Sequence, residues 1–464
     1  MSSLAAALRP RAGLPVSPPD RERSLRRRVY LVWSLLFVNV MTFYPTTWNG
    51  LPLAFPIPSK IGKVITQGAL VAALLVALAV NRRRLIRPNV YLCLLSLLAI
   101  DAVLAALQAE HILGTSYRTA RLAGFVVTLW LLTPWWGRAD LLLLRCHLSF
   151  IAGLLGLVLL GVPISPSKAM DQGRLAGVIW PIPPTEVAHF AAIVFGLVAV
   201  LWLGSRVSGR VALPVILAAS TILLLTHTRT ALMGLAAGLL VASLSLFTIK
   251  ARVRKLLASA AVVVGIGVMT VSGLVTTWFA RGESSQQLAS FTGRTVVWTE
   301  VLTAPRDEFQ HLFGFGMSNL SFNGLPIDSN WLGAYLDLGL AGVAVCALML
   351  LFPLVTACFQ PRGVERALGL FLVTYVLLST FTETGLSSPS SFMLDLTLAA
   401  SFLVPIAKHQ PVPPLPAPGL PAAPQSAAGR PADAPPALTG GRNENRPGPQ
   451  PLPVVSPERR EPGG

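Results

Sequence analysis

Apolar runs of some twenty residues recur along this chain, separated by short polar or basic turns. A run of that length, coiled into a helix, matches the hydrocarbon thickness of a bilayer. Taken in order, the runs predict about twelve membrane helices. They fall near 29–47, 61–80, 89–107, 119–136, 148–161, 185–203, 211–225, 230–248, 256–274, 331–359, 367–382 and 390–407. Two stretches break the rhythm by their polarity: residues 162–184 and residues 276–328. The expected fold is therefore an all-α polytopic helical bundle with a large loop between the ninth and tenth spans. The second polar stretch ends at Asp328, where water-side sequence meets the start of an apolar helix.

Composition agrees with that pattern. The chain is 53% hydrophobic and 12% charged, with mean hydropathy +0.63, whereas soluble domains carry about 25% charged residues. A net charge of +17 raises the question of nucleic acid. The basic residues, however, are spread between apolar runs rather than gathered on one domain, so no nucleic-acid partner is expected and the positive-inside rule accounts for them. Residues 1–28, with Arg9, Arg11, Arg21, Arg23, Arg26, Arg27 and Arg28, read as a disordered basic tail. Residues 409–464 read as a second disordered tail, rich in proline and without an aromatic residue, a composition that buries nothing. The membrane domain is 29–408. An even number of spans puts both tails in the cytoplasm and the two long polar loops outside the plasma (inner) membrane. The turn NRRRLIR after the second span is one of the inner signals, and Trp135–Trp136 after the fourth suits a membrane interface. No small-residue cleavage site follows the first apolar run, so no cleaved signal is expected. Cys93, Cys146, Cys346 and Cys358 show no metal-ligand spacing.

Some ionisable residues lie beside apolar sequence, where they are costly and tend to be kept for binding or chemistry. Arg229 falls between LLLT and ALMGLAAGLL, with His227 two residues before it. A guanidinium there either snorkels to water or meets an anion, and its fork matches phosphate oxygens bidentately. Arg174 in QGRLAG and Arg294 in TGRTVVW share the outer side and complete a candidate anion cradle. Asp328 is the leading candidate general acid or base; as a residue at a helix start it is also a candidate N-cap. Asp337, nine residues on, reads as a buried structural acid. Glu186 and His189, three apart, share one helix face, and with His227 and Asn330 they are candidate cavity-lining residues. Neither a Walker loop nor a dinucleotide fingerprint nor a metalloprotease helix is present, so no metal and no cofactor is expected.

The segments THTRTALMGLAAGLL, GRTVVW, GFGMSN and DSNWLGAYLDLGLAG, preceded by GRLAGVIWPIPPTEVAHF, together resemble the central region of the bacterial O-antigen polymerase and ligase superfamily. The resemblance covers roughly residues 170–345. It implies a metal-independent glycosyltransferase of the cell envelope whose donor is an undecaprenyl-diphosphate-linked glycan. The acceptor is a glycan, a lipid or a protein, and polysaccharide export or length-control proteins are possible partners. It also implies that arginines matching Arg174, Arg229 and Arg294 hold the diphosphate. In ligases of the family the last motif carries a His-Asn pair. Here Asp328 stands at the histidine position with Ser329 next, which turns the expectation toward a polymerase of surface or exopolysaccharide repeat units, with a ligase as the alternative.

A reading of another class is a polytopic transporter or lipid-linked glycan flippase. Transporters tend to carry internal repeats and helices broken at matching positions in two halves. No such repeat is visible, and the polar residues cluster toward one face.

Overall fold

The computed structural model describes residues 20–41, 53–55, 57–109, 111–138, 140–171, 173–259, 294–318, 321–322 and 325–403. Most of the expected ninth span, the first part of the long loop, and residues 404–464 lie outside the described residues. The described residues are mostly helical, with almost no strand. In order, the helices are α1 (Asp20–Val40), α2 (Ser59–Val80), α3 (Val90–Ala106), α4 (Ile112–Leu131), α5 (Leu142–Ile164), α6 (Pro166–Ala169), α7 (Pro184–Leu203), α8 (Gly209–Leu225) and α9 (Arg229–Phe247). After the undescribed stretch come α10 (Arg294–Thr303), α11 (Glu308–Phe313), α12 (Asn330–Phe359), α13 (Val364–Ser379) and α14 (Ser391–Leu403). Five of these, α2, α5, α7, α9 and α12, are long and apolar enough to cross a membrane, and α3, α8 and α14 are shorter apolar helices.

The polar stretch expected at 162–184 is not a plain loop. Helix α5 runs on to Ile164, one turn of helix (α6) follows, and Met170–Asp171 (β1) pairs antiparallel with Arg174–Leu175 (β2). The turn between these strands places Gly173 at φ +74°, a left-handed conformation that glycine adopts without Cβ strain. Helix α5 also starts at Leu142, earlier than the apolar count suggests. Asp140 ahead of it pairs with Arg26 and Arg138, which leaves Leu142–Leu144 free to be buried.

Helix α13 is gripped by glycines. A Cβ on Gly196 of α7 would come within 1.8 Å of the Phe371 ring, and one on Gly238 of α9 within 2.9 Å of it. Gly234 offers the same close approach to Tyr375. Without a hydrophobic force between helices in lipid, small residues that allow close backbone contact are a principal means of association. Phe371 is thus clasped between α7 and α9, and that clasp fixes Tyr375 one turn further along α13.

The expected tenth span is one helix by hydropathy but broken in shape. Gly339 has φ +61° and ψ −159° inside α12. The GFGMS segment returns to the break: Phe315 N–H donates to Leu336 O (2.9 Å), Gly316 N–H to Asp337 O (3.0 Å) and Ser318 N–H to the Asp337 carboxylate (3.1 Å). Backbone carbonyls released by a break need such partners at membrane depth. Arg118 of α4 donates to Met317 O at 2.9 Å and closes the clasp from the other side. Arg306 lies over Tyr335 (4.0 Å to the ring centroid) and Phe315 (4.9 Å), and burial pushes its guanidinium down from the usual range.

Candidate active site

The ends of α7, α9, α13 and α14 enclose a cavity of about 170 Å3. Its wall carries Glu186 and His189 from α7, Thr228 and Thr230 from the start of α9, Tyr375 and Ser379 from α13, residues 383–385 and 388–390 from the connection that follows, and Phe392 from α14. The lining is rich in hydroxyls and contains two carboxylates, Glu186 and Glu383, both half-buried.

Two of the residues expected from the sequence to line a cavity, Glu186 and His189, line this one. Their placement follows from local sequence. Pro183 and Pro184 start α7, since proline pre-sets the first-turn φ and lacks the N–H that would go unused there. Glu186 then falls in the first turn and His189 almost one turn deeper, on the same face.

Arg174 reaches the cavity wall through Thr228. Its Nε donates to Thr226 O at 3.0 Å and its Nη2 to Thr228 Oγ1 at 3.2 Å. Thr228 is the residue before α9, and Arg229 is the first residue of that helix. The structure therefore brings Arg174 to the helix start that Arg229 opens. His227 lies between these threonines at φ +50° and is not among the cavity-lining residues. Arg294 opens α10, and its side chain lies outside the described residues.

Asp328 does not line the cavity. It is half-buried, and the N-cap of α12 is Ser329, whose side chain makes no capping hydrogen bond; the N-cap reading of Asp328 is corrected by one position. Asn330 is expected as a lining residue, but it is buried and holds the cavity wall from behind. Its Oδ1 accepts from Leu386 N–H (2.7 Å) and Gly385 N–H (3.3 Å), while its own N–H donates to Thr380 O (2.9 Å). Asp337, nearly fully buried, is spent on the GFGMS segment.

Beneath the cavity lies a polar line absent from the sequence-based reading. The Asp395 carboxylate, fully buried on α14, is 3.0 Å from His189 Nε2 and 2.9 Å from His147 Nε2 on α5. The other ring nitrogen of His189, Nδ1, is 3.2 Å from the Tyr375 hydroxyl. Phe392 packs on the His189 ring (centroids 4.4 Å apart), and Phe37 meets His147 edge-on (4.9 Å). A buried carboxylate flanked by two imidazoles is a costly arrangement, stable only because its partners are fixed. Through His189 and Tyr375, which both line the cavity, it sets the orientation of groups that a bound molecule would meet. Among the described residues, no group of three or more His, Cys, Asp or Glu is arranged to hold a metal ion.

No family model matches this chain, and no curated protein matches it.

Proposed function

We propose that this protein transfers glycans on the outer face of the plasma membrane, from a polyprenyl-diphosphate-linked donor to a sugar hydroxyl, and that it polymerises repeat units. The observation that carries this reading is the meeting of Arg174 with the Arg229 helix start at Thr228, on the wall of a cavity that holds Glu186, Glu383 and His189. Thr228 thus sets the Arg174 guanidinium one hydroxyl away from a cavity lined by two carboxylates, and the many hydroxyls of the lining suit a polyol.

The chemistry follows from these parts. The bond between the anomeric carbon and the diphosphate oxygen breaks, and its electron pair leaves with the diphosphate. A new bond forms from the acceptor oxygen to that carbon. A sugar hydroxyl is far too weak an acid to ionise beforehand, so its proton passes to a carboxylate as attack proceeds. In this proposal Glu186 takes that proton, and Asp328 is the competing assignment from the sequence. Guanidinium groups held in advance stabilise the charge growing on the leaving diphosphate. In this reading about twelve spans place both termini in the cytoplasm, and the bundle end that holds the cavity faces outward. A ligase acting on a lipid or protein acceptor uses the same parts.

The second reading, transport of a lipid-linked glycan or other solute, is favoured by one observation: the His147–Asp395–His189 line within the helix bundle, a type of group that marks proton-linked pathways in membrane proteins. Purified protein in vesicles, supplied with a lipid-linked repeat unit, separates the two. The expected result is a lengthening glycan and released polyprenyl diphosphate. Donor that crosses the membrane with no new glycosidic bond would overturn the proposal in favour of transport.

A further inference from the structure

A larger cavity, about 530 Å3, opens where α1, the end of α2 and the turn after α4 meet. Three arginines line it: Arg28 from α1, and Arg82 and Arg83 from the turn that follows α2. All three are exposed. Between them the wall is apolar, formed by Leu25, Val80, Pro134 and Trp135.

The arginine turn is built rather than loose. Asn81, buried at 4% exposure, accepts from Leu85 N–H (2.9 Å) and donates to Leu85 O (2.8 Å) and to Leu131 O at the end of α4 (3.0 Å). Arg84 N–H donates back to Asn81 O at 2.8 Å, with Arg84 at φ +48°. The turn is thereby pinned to α4, which keeps Arg82 and Arg83 at the cavity.

Two neighbouring carboxylates are already paired. Glu22 pairs with Arg26 and Arg138, and Asp140 with the same two arginines. Among the described residues, no ion pair involves Arg28, Arg82 or Arg83. Three cations thus face one cavity without a carboxylate, at helix ends where a bilayer surface would lie. Trp135, half-buried, has the amphipathic ring suited to that level. Leu85 and Ile86, about half exposed, continue the apolar surface beside it.

We propose that this cavity binds an anionic phospholipid, its phosphate on Arg28, Arg82 and Arg83 and its glycerol and upper acyl chain on Leu25, Val80 and Trp135. Guanidinium groups match phosphate oxygens bidentately, and basic pockets between membrane helices take up acidic headgroups. The apolar wall selects a membrane lipid over a soluble phosphate, which has nothing to place there. This site does not depend on the glycan-transfer reading and lies apart from the cavity described above.

The test is native mass spectrometry of the full chain, delipidated in neutral detergent and titrated with phosphatidylglycerol or phosphatidylcholine. Phosphatidylglycerol should bind tightly at one copy and phosphatidylcholine weakly. Combining Arg28→Gln, Arg82→Gln and Arg83→Gln should weaken phosphatidylglycerol on the order of a hundredfold, since each basic residue near a bilayer surface adds roughly fivefold to binding. Combining Arg210→Gln, Arg254→Gln and Arg362→Gln removes the same charge elsewhere and should change little. If the first triple variant does not purify as a folded protein, Arg83→Gln alone should still show a loss of about fivefold. Unchanged binding in the arginine-cavity variants would overturn the proposal, as would an equal loss in the control triple. Displacement of the lipid by an equal concentration of inorganic phosphate would overturn it too, and would identify a soluble phosphoryl ligand.

Discussion

Asp395 holds His189 by a carboxylate–imidazole contact of 3.0 Å in the interior of the helix bundle. The contact links α14 to α7, and its far side reaches His147 on α5. Three helices distant in sequence are therefore tied at one carboxylate. The cavity above inherits its shape from that tie, because His189 and Tyr375 form part of its wall.

Removing the carboxylate should be costly. Asp395→Leu leaves two buried imidazoles without their acceptor, and breaking a buried pair in this way typically costs about 3–5 kcal/mol. Asp395→Asn keeps one acceptor oxygen and should lose less. Thermal unfolding in detergent should rank wild type above Asn and Asn above Leu. Equal melting of all three would show that the tie adds nothing to stability.

The clasp around Phe371 gives a second expectation. Gly196→Ala puts a Cβ where the ring now is, and Gly238→Ala does so less severely. Overpacking of a tight core costs about 1–3 kcal/mol and occasionally more. Gly196→Ala should therefore be the worse variant, and Phe371→Leu should recover part of its loss. A double-mutant cycle on unfolding temperature measures that recovery; strict additivity would mean that Phe371 and Gly196 do not compete for the same space.

The helical class and most of the long apolar helices were legible because each depends on local composition. Arg174, Glu186 and His189 were legible for a related reason, as polar residues beside apolar runs. Asp395 and His147 carried a similar signal, Asp395 as the lone ionisable residue of SFMLDLTL and His147 two residues after Arg145 at the head of RCHLSFIAGLL. Their importance appears only when distant helices are brought together. The break at Gly339 was hidden because hydropathy is blind to backbone shape; its traces in the sequence were Gly339 itself and the two glycines of the GFG segment, both at positive φ. Trp136 shows the opposite failure. It reads as an interfacial residue beside Trp135, yet it is buried at 1% exposure, since the 3-10 turn Thr133–Trp135 directs the chain back into the bundle.

Orientation can be tested at Ser167, which is exposed on α6. With Cys93 and Cys358 replaced, a single cysteine at Ser167 should react with an impermeant thiol reagent in intact cells. Labelling only after the cells are opened would reverse the orientation and place the cavity on the cytoplasmic side.

Asn330 supports the cavity wall rather than lining it. Asn330→Ala strands the buried amides of Gly385 and Leu386, at about 1–3 kcal/mol for each unsatisfied donor. Hydrogen exchange at Leu386 should quicken at least tenfold, while amides of α9 stay as protected as before. Unaltered exchange at Leu386 would mean that the loop is held by other contacts.

The last expectation decides which carboxylate takes the proton. Glu186 lines the cavity together with His189, whereas Asp328 lies outside it, next to the N-cap of α12. Glu186→Gln keeps the shape and removes the basicity, so transfer from a lipid-linked donor should fall by about a hundred- to ten-thousandfold. Asp328→Asn should leave most of the turnover if that residue is only a neighbour of the helix start. The arginines give an independent contrast. Arg174→Lys cannot hold Thr226 O and Thr228 Oγ1 together as the guanidinium does, and Arg229→Lys loses the bidentate fork for phosphate. Both should weaken use of the donor with the fold intact. A collapse of turnover in Asp328→Asn with near-normal Glu186→Gln would return the catalytic role to the residue that the sequence alone suggests. Near-normal turnover in all four variants would remove this cavity from the reaction altogether.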